Sequence, residues 1–218
     1  MTAQIENRFK FNGDDYSIVA ISTPIDFKPQ DYGITPLPIF TACWDGYWCE
    51  YEITKTEIIL KNLYINSHND EYPEINGISP ENDSQNKQNH FQYMGHHLYK
   101  NLNIKMNFTG KILIGKGFLK QYYIHMGYQR AWAYEVLEEL VFENGMLIRT
   151  VDHSEKAKEL REELDQKILE REEAKHNGTS TKKTSRKKPA EKETNESIKK
   201  FVTESFSLKM EDKAWWLT

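Results

Sequence analysis

In the stretch Gly46-Tyr47-Trp48-Cys49-Glu50-Tyr51-Glu52-Ile53, Tyr47, Cys49, Tyr51 and Ile53 alternate with Trp48, Glu50 and Glu52. A period of two is that of a strand, whose successive side chains point to opposite faces, so these residues predict a half-buried strand. Thr54-Lys55-Thr56 turns the chain into Glu57 to Ile65, where Ile58, Leu60, Leu63 and Ile65 give a second strand. The one break in its period predicts a bulge near Asn62.

Toward the N-terminus, Asn12-Gly13 separates Arg8-Phe9-Lys10-Phe11 from Tyr16 to Ile21. That dipeptide accepts the positive φ of a tight turn, so a hairpin is expected. Pro24, Pro29, Pro36 and Pro38 break up residues 22–38, because proline has no donor for a sheet ladder, and a surface loop is expected there. Residues 66–97 hold few aliphatic side chains and predict a long, partly mobile loop. Beyond it, Leu102 to Phe108, Lys111 to Ile114, Phe118 to Met126, Trp132 to Phe142 and Met146 to Val151 read as five short strands. Asn144-Gly145 turns the last pair. Tyr134 to Glu143 has a composition that also suits a helix, but its alternation favours a strand. Gly115-Lys116-Gly117, with no helix start after it, reads as a turn rather than a phosphate loop.

Asp152 with Glu155 resembles a capping box, and a charged helix is expected from Ser154 to Lys175 with a narrow apolar stripe of Ala157, Leu160, Leu164 and Ile168. Residues 176–195 carry no large apolar side chain and predict a disordered basic linker. In residues 196–218, Ile198, Phe201, Val202 and Phe206 fall near helical spacing before Trp215-Trp216-Leu217 ends the chain. The fold class expected is α+β: a mainly antiparallel β domain at 1–153, then a charged helix at 154–175, the linker, and an amphipathic, aromatic-ended docking segment.

The 218 residues carry 29 Lys and Arg against 33 Asp and Glu, a net charge of −4. Residues 1–153 hold 13 basic against 19 acidic residues, so the ordered part is acidic. No apolar run approaches the about 20 residues needed to cross a bilayer, and no basic start leads into an apolar signal segment. Two cysteines make no disulfide framework, so a reducing cytoplasm is expected.

Two stretches together resemble an uncharacterised bacterial protein family. One is Cys43-Trp44-Asp45-Gly46-Tyr47 with its strand to Glu52-Ile53 and then Leu60-Lys61-Asn62-Leu63; the other is Tyr123-Ile124-His125-Met126-Gly127-Tyr128. This chain departs from the family pattern at Asp45, where a basic residue is common, and throughout 154–218. No activity is attached to the family, so the resemblance assigns no catalytic residue. It implies a bacterial or phage-related origin.

The densest group suited to acid–base chemistry is Tyr122, Tyr123, His125, Tyr128 and Arg130, with Glu135 and Glu138 downstream. The catalytic candidates are therefore His125, Glu135 and Glu138. The plainer reading buries the tyrosine rings at a strand end and bonds His125 to a backbone carbonyl. Cys43, Cys49, His96 and His97 are donors of the type zinc takes, but the Cys-x5-Cys spacing favours buried thiols over a metal site. No cofactor motif is present. Lys182, Lys183, Arg186, Lys187 and Lys188 are able to track a phosphate backbone without sequence preference, yet no aromatic residue interleaves them for base stacking.

A protein-interaction module or accessory subunit ranks first, in a toxin, immunity or phage-defence setting. Its partner-binding candidates are Phe201, Phe206, Trp215, Trp216 and Leu217, since tryptophan is enriched among residues that dominate binding energy. A small enzyme around His125 ranks second, and sequence-independent nucleic-acid binding third. No membrane role is expected.

Overall fold

The structure is a computed structural model that describes residues 2–82, 95–125 and 127–177. The linker expected at 176–195, apart from its first two residues, which end the helix, and the tail expected at 196–218 lie outside the described residues. The chain divides into two compact units, Met1–Ala157 and Lys158–Thr218.

The first unit is a β-rich domain. Its strands are β1 (Arg8–Phe11), β2 (Asp14–Ile21), β3 (Tyr47–Thr54), β4 (Glu57–Ile65), β5 (Glu81–Asn82), β6 (His97–Tyr99), β7 (Ile104–Lys105), β8 (Gly110–Phe118), β9 (Tyr134–Glu143) and β10 (Met146–Asp152). Along the sheet the order is β10-β9-β8-β2-β1-β3-β4-β6-β5, and β7 pairs with β4. A further pairing of β10 with β4, Met146 opposite Glu57, brings the sheet round on itself as a barrel. The pairings between these strands are antiparallel except β1 with β3, where Phe9 lies opposite Tyr51. That parallel pair exists because the proline-broken loop after β2 carries the chain across to the far side of β1 instead of turning it straight back.

Both Asn-Gly turns form as expected. Asn12 and Gly13 have φ of 51° and 86°, and Asn144 and Gly145 have 49° and 80°, the doubly positive geometry whose twist matches the strands it joins. The bulge in β4 is present: Glu50 pairs with Asn62 but Tyr51 pairs with Leu60, leaving Lys61 unmatched.

The inward face of β3 is the expected one. Cys49 and Tyr51 are buried in the barrel core with Phe9, Leu60, Ile112 and Phe142, and Tyr47 and Ile53 pack against it. Trp48, on the other face, is also buried, forming a small outer cluster with Tyr64 and Leu98 against which Ile5 packs. Its indole Nε1–H donates to the Glu6 carbonyl at 2.6 Å. The loop at 22–46 does more than cross the surface, because Phe27 and Ile34 join the barrel core.

Three local readings need correction. Gly115-Lys116-Gly117 is no turn but lies inside β8, where Gly115 pairs with Ser17 and with Leu137. The glycines are needed for space, since a Cβ on Gly115 would come within 2.6 Å of the Tyr134 ring. Phe118 to Met126 is not a strand: β8 ends at Phe118, Lys120–Tyr122 forms a 3₁₀ turn, and Met126 lies outside the described residues. Among the described residues, 66–82 and 95–97 carry more order than the low aliphatic content suggests. Ile75 is fully buried, the Tyr99 hydroxyl donates to the Pro73 carbonyl at 2.8 Å, and the rings of Tyr72 and His97 stack at 3.5 Å.

The one helix described, α1, runs Ser154–Asn177. Its first turn belongs to the barrel unit. Asp152 Oδ1 accepts from the Ser154 N–H at 2.8 Å, Ser154 Oγ accepts from the Leu137 N–H at 3.0 Å, and Ala157 is fully buried. From Lys158 the helix belongs to the second unit, where Glu163 and Lys167 pair at 3.9 Å and Ile168 and Leu169 are exposed. No helix among the described residues is long and apolar enough to cross a membrane.

Candidate functional site

The segment before β1 builds the site. Its backbone is fixed by the Gln4 N–H donating to the Gly127 carbonyl (2.8 Å), the Ile5 N–H to the Ala42 carbonyl (2.9 Å) and the Ile18 N–H to the Asn7 carbonyl (2.8 Å). The buried Gln4 amide ties it further, donating to the Thr41 carbonyl at 2.8 Å and accepting from the Trp44 N–H at 3.1 Å. One extended segment thus clamps two loops, 40–44 and 124–129.

Against this segment lies a cleft of about 400 Å³, lined by Glu6, Ser17, Phe118, Tyr123, Gln129 and Tyr134 among others. Gln129 is buried and holds its loop by a two-way bond, accepting from the Ile124 N–H and donating to the Ile124 carbonyl, both at 3.0 Å. Within the cleft the Glu6 carboxylate accepts from the Gln129 backbone N–H and the Tyr134 hydroxyl. Ser17 in turn donates to the Tyr134 oxygen. The other carboxylate oxygen, Glu6 Oε1, is buried without a hydrogen-bond partner. Burial pushes the Glu6 pKa above its ordinary value, and the hydrogen bonds only partly offset it. Burial, then the Glu6 charge, pushes Tyr134 up. A neighbouring recess of about 210 Å³ shares Ser17, Phe118 and Tyr134 and adds Arg8 and Lys116.

No protein-family model, curated protein or solved structure matches this chain. What the site can do therefore rests on its own chemistry.

His125 is exposed, its ring edge-on to Tyr123 at 5.1 Å. Glu135 is exposed at the start of β9, and Glu138 is half-buried further along it, accepting from the Tyr16 hydroxyl at 3.5 Å. Burial raises the Glu138 pKa, with Asp152 adding to it. Among the described residues no hydrogen bond or ion pair joins His125 to either carboxylate, so the three stand apart. Cys49 is fully buried in the core, its thiol pushed up to about 12 by burial, and Cys43 donates to the Tyr47 carbonyl at 3.2 Å with its thiol pushed up to about 11. The His96 N–H donates to the Asn66 side chain at 3.0 Å, and burial lowers the His97 pKa. Among the described residues no group of three His, Cys, Asp or Glu side chains stands ready for an ion. The tail residues Phe201, Phe206, Trp215, Trp216 and Leu217 and the basic block from Lys182 to Lys188 lie outside the described residues.

Sequence reasoning reached one wall of the cleft through Tyr123 but missed Glu6 and Tyr134. Glu6 sits in a segment with no periodicity, and its importance comes from neighbours more than a hundred residues away. The pairing Gly115-Lys116-Gly117 opposite an aromatic strand start was the one signal available, since paired glycines in a strand mark close approach.

The raised Glu6 pKa has a consequence for stability. Between the unfolded and folded pKa values the folded chain holds the extra proton, so stability falls as pH rises through the folded value. The groups around this carboxyl are Tyr134, the Gln129 N–H and the more distant Tyr128. Glu6→Gln should therefore melt higher relative to the parent at about pH 7.5 than at about pH 3, where both states carry the protonated acid. Melting curves at the two pH values check this, and a gap of equal size at both would contradict it.

Proposed function

We propose that this chain is a protein-interaction module acting in the cytoplasm, an accessory or regulatory subunit of a bacterial system. The observation that carries the reading is a set of exposed apolar side chains on and next to the clamped loops, called the ledge below. Ile39 and Phe40 are each 37% exposed, Trp44 is 55% exposed and Tyr128 is 50% exposed. Trp44 is held by its backbone bond to Gln4, and Tyr128 stands near Asp45 and Cys43. Large rings on loops with fixed backbones lose little entropy on docking, which is the economy that binding hot spots share.

The barrel interior supports the same reading, because it is filled by aromatic and aliphatic side chains rather than hollowed for a substrate. Cys43 and Cys49 are both free of a disulfide, which suits a reducing compartment. A toxin, immunity or phage-defence setting follows the resemblance carried by the strand and loop motifs. By their sequence pattern, Phe201, Phe206, Trp215, Trp216 and Leu217 offer a second, tethered contact.

The test is recovery of the partner on tagged protein from a lysate of the source organism. Both rings are half exposed, so Trp44→Ser with Tyr128→Ser should leave the melting temperature close to that of the parent. It should cut partner recovery by about tenfold or more, the loss expected of hot-spot residues. Unchanged recovery would count against the ledge.

A further inference from the structure

The loop between β4 and β5 is held to the sheet at few points, and one of them is a histidine. Most of residues 68–79 are exposed, while Ile75 is fully buried and the Tyr99 hydroxyl donates to the Pro73 carbonyl at 2.8 Å. Nearer its start the loop rests on His97 of β6, whose ring stacks on Tyr72 with centroids 3.5 Å apart and planes 24° apart. Tyr72 is fixed in turn: its hydroxyl accepts from the Ser67 N–H at 3.1 Å and donates to the Asp70 carboxylate. Strand pairing fixes His97 from its other side, opposite Ile65 of β4 and Asn82 of β5.

One nitrogen of the His97 ring is sealed off. Nδ1 is buried and has no hydrogen-bond partner. A neutral ring tolerates this with Nδ1 as an idle acceptor and the proton on Nε2. An imidazolium carries a proton on both nitrogens, so Nδ1–H becomes a buried donor with no acceptor, and on a charged group an unmade hydrogen bond is the costlier kind. The charged groups that act on the ring are Asp70, which draws a proton toward it, and His96, which repels one. Ile65 and Asn82 carry no charge, and Glu81 of β5 is paired with Lys100. The face of Tyr72 also favours a cation but offers no acceptor. Burial outweighs the attraction of Asp70, so His97 loses its proton below the usual histidine value.

We propose that His97 is an acid-released latch: on taking up a second proton its ring leaves Tyr72, and residues 67–79 loosen from the sheet while the barrel stays closed. The Met146–Glu57 pairing that closes the barrel involves no residue of this loop. A histidine harder to protonate when folded adds stability that is complete above its unfolded value, about 6.5, and is lost as pH falls below it. The loop is therefore seated at neutral pH and opens progressively in acid, by at most about tenfold per pH unit for one proton. Opening uncovers Ile75 and the Tyr99 ring, both fully buried when the loop is seated, and so presents an apolar surface that neutral pH hides. The latch stands apart from the ledge and holds or fails independently of it.

Hydrogen exchange of the full chain tests it, followed by mass spectrometry at about pH 7.5 and about pH 5 and corrected for the intrinsic pH dependence of amide exchange. Amides of residues 67–79 should lose protection by about threefold or more at the lower pH, while those of β3 and β8 should not. In His97→Phe, which keeps a ring for the stack and has no proton to gain, the loss should vanish. Titration of the His97 ring protons by nuclear magnetic resonance in the parent needs no variant and should give a midpoint below about 6.5. Unchanged protection of the loop in the parent, an equal loss in His97→Phe, a loss shared by β3 and β8, or a midpoint at or above that of a solvated histidine would each overturn the proposal.

Discussion

Gly145→Ala is expected to destabilise the first unit by about 2–4 kcal/mol, combining the cost of a left-handed residue with weakened backbone hydrogen bonds. Gly145 has φ of 80°, and a Cβ there would collide with the Met106 carbonyl oxygen. The relief is movement of the turn, and the turn is where the barrel closes. The Gly145 carbonyl accepts from the Ile58 N–H at 2.9 Å, its N–H donates to the Phe108 carbonyl at 2.8 Å, and the Leu147 N–H donates to the Thr56 carbonyl at 2.7 Å. Those bonds surround the single Met146–Glu57 pairing that joins β10 to β4. Urea unfolding of parent and variant measures the loss. A change under about 0.5 kcal/mol, within the ordinary range of surface substitutions, would show that this corner does not hold the barrel shut.

Phe142→Ala is expected to cost about 3–5 kcal/mol, the range for removing a large aromatic side chain from a core. Phe142 is 2% exposed and stands at the middle of a ring cluster, 6.4 Å from Phe9 and 5.7 Å from Phe108. It joins β9 to β1 across the barrel, so the cavity left behind is bordered by rigid strands that cannot collapse into it. A fall in melting temperature of about 10 °C or more follows for a domain of this size. Thermal unfolding followed by near-ultraviolet circular dichroism checks it, and a fall of a degree or two would mean the interior is loosely filled.

Much of the local fold was legible in particular residues. Tyr47, Cys49, Tyr51 and Ile53 declared the inward face of β3, and the two Asn-Gly pairs declared their turns. The period break near Asn62 declared the bulge that leaves Lys61 unmatched. These features are settled within a few residues of themselves. Closure of the sheet was not legible, because the parallel β1–β3 pair and the β10–β4 contact depend on segments that no local pattern links. Residues 115–117 were misread for a related reason: Gly115 and Gly117 look like turn residues, but the strand opposite them brings large side chains, Tyr134 and Glu135, that need the room.

The site was less legible than the fold. Tyr122 to Arg130 attracted attention through its density of polar rings, and Tyr123 and Gln129 of that segment do line the cleft. The acid that gives the cleft its chemistry is Glu6, from a segment without pattern, and no spacing in the chain connects it to Tyr134. Trp48 was placed on the polar face of its strand by alternation, yet Ile5 covers it. In both cases the N-terminal segment supplies a neighbour that periodicity cannot register.

The most direct test of the interaction reading is a photo-crosslinking residue, p-benzoylphenylalanine, placed in the full chain at Trp44 and separately at Ile148. Both positions are exposed, Trp44 at 55% on the clamped loop and Ile148 at 59% on β10, so they differ in location rather than accessibility. Irradiated in cells of the source organism, the chain carrying the probe at Trp44 should form one discrete adduct with a second protein, and the chain carrying it at Ile148 should not. No adduct at Trp44, or the same adducts from both positions, would contradict the account.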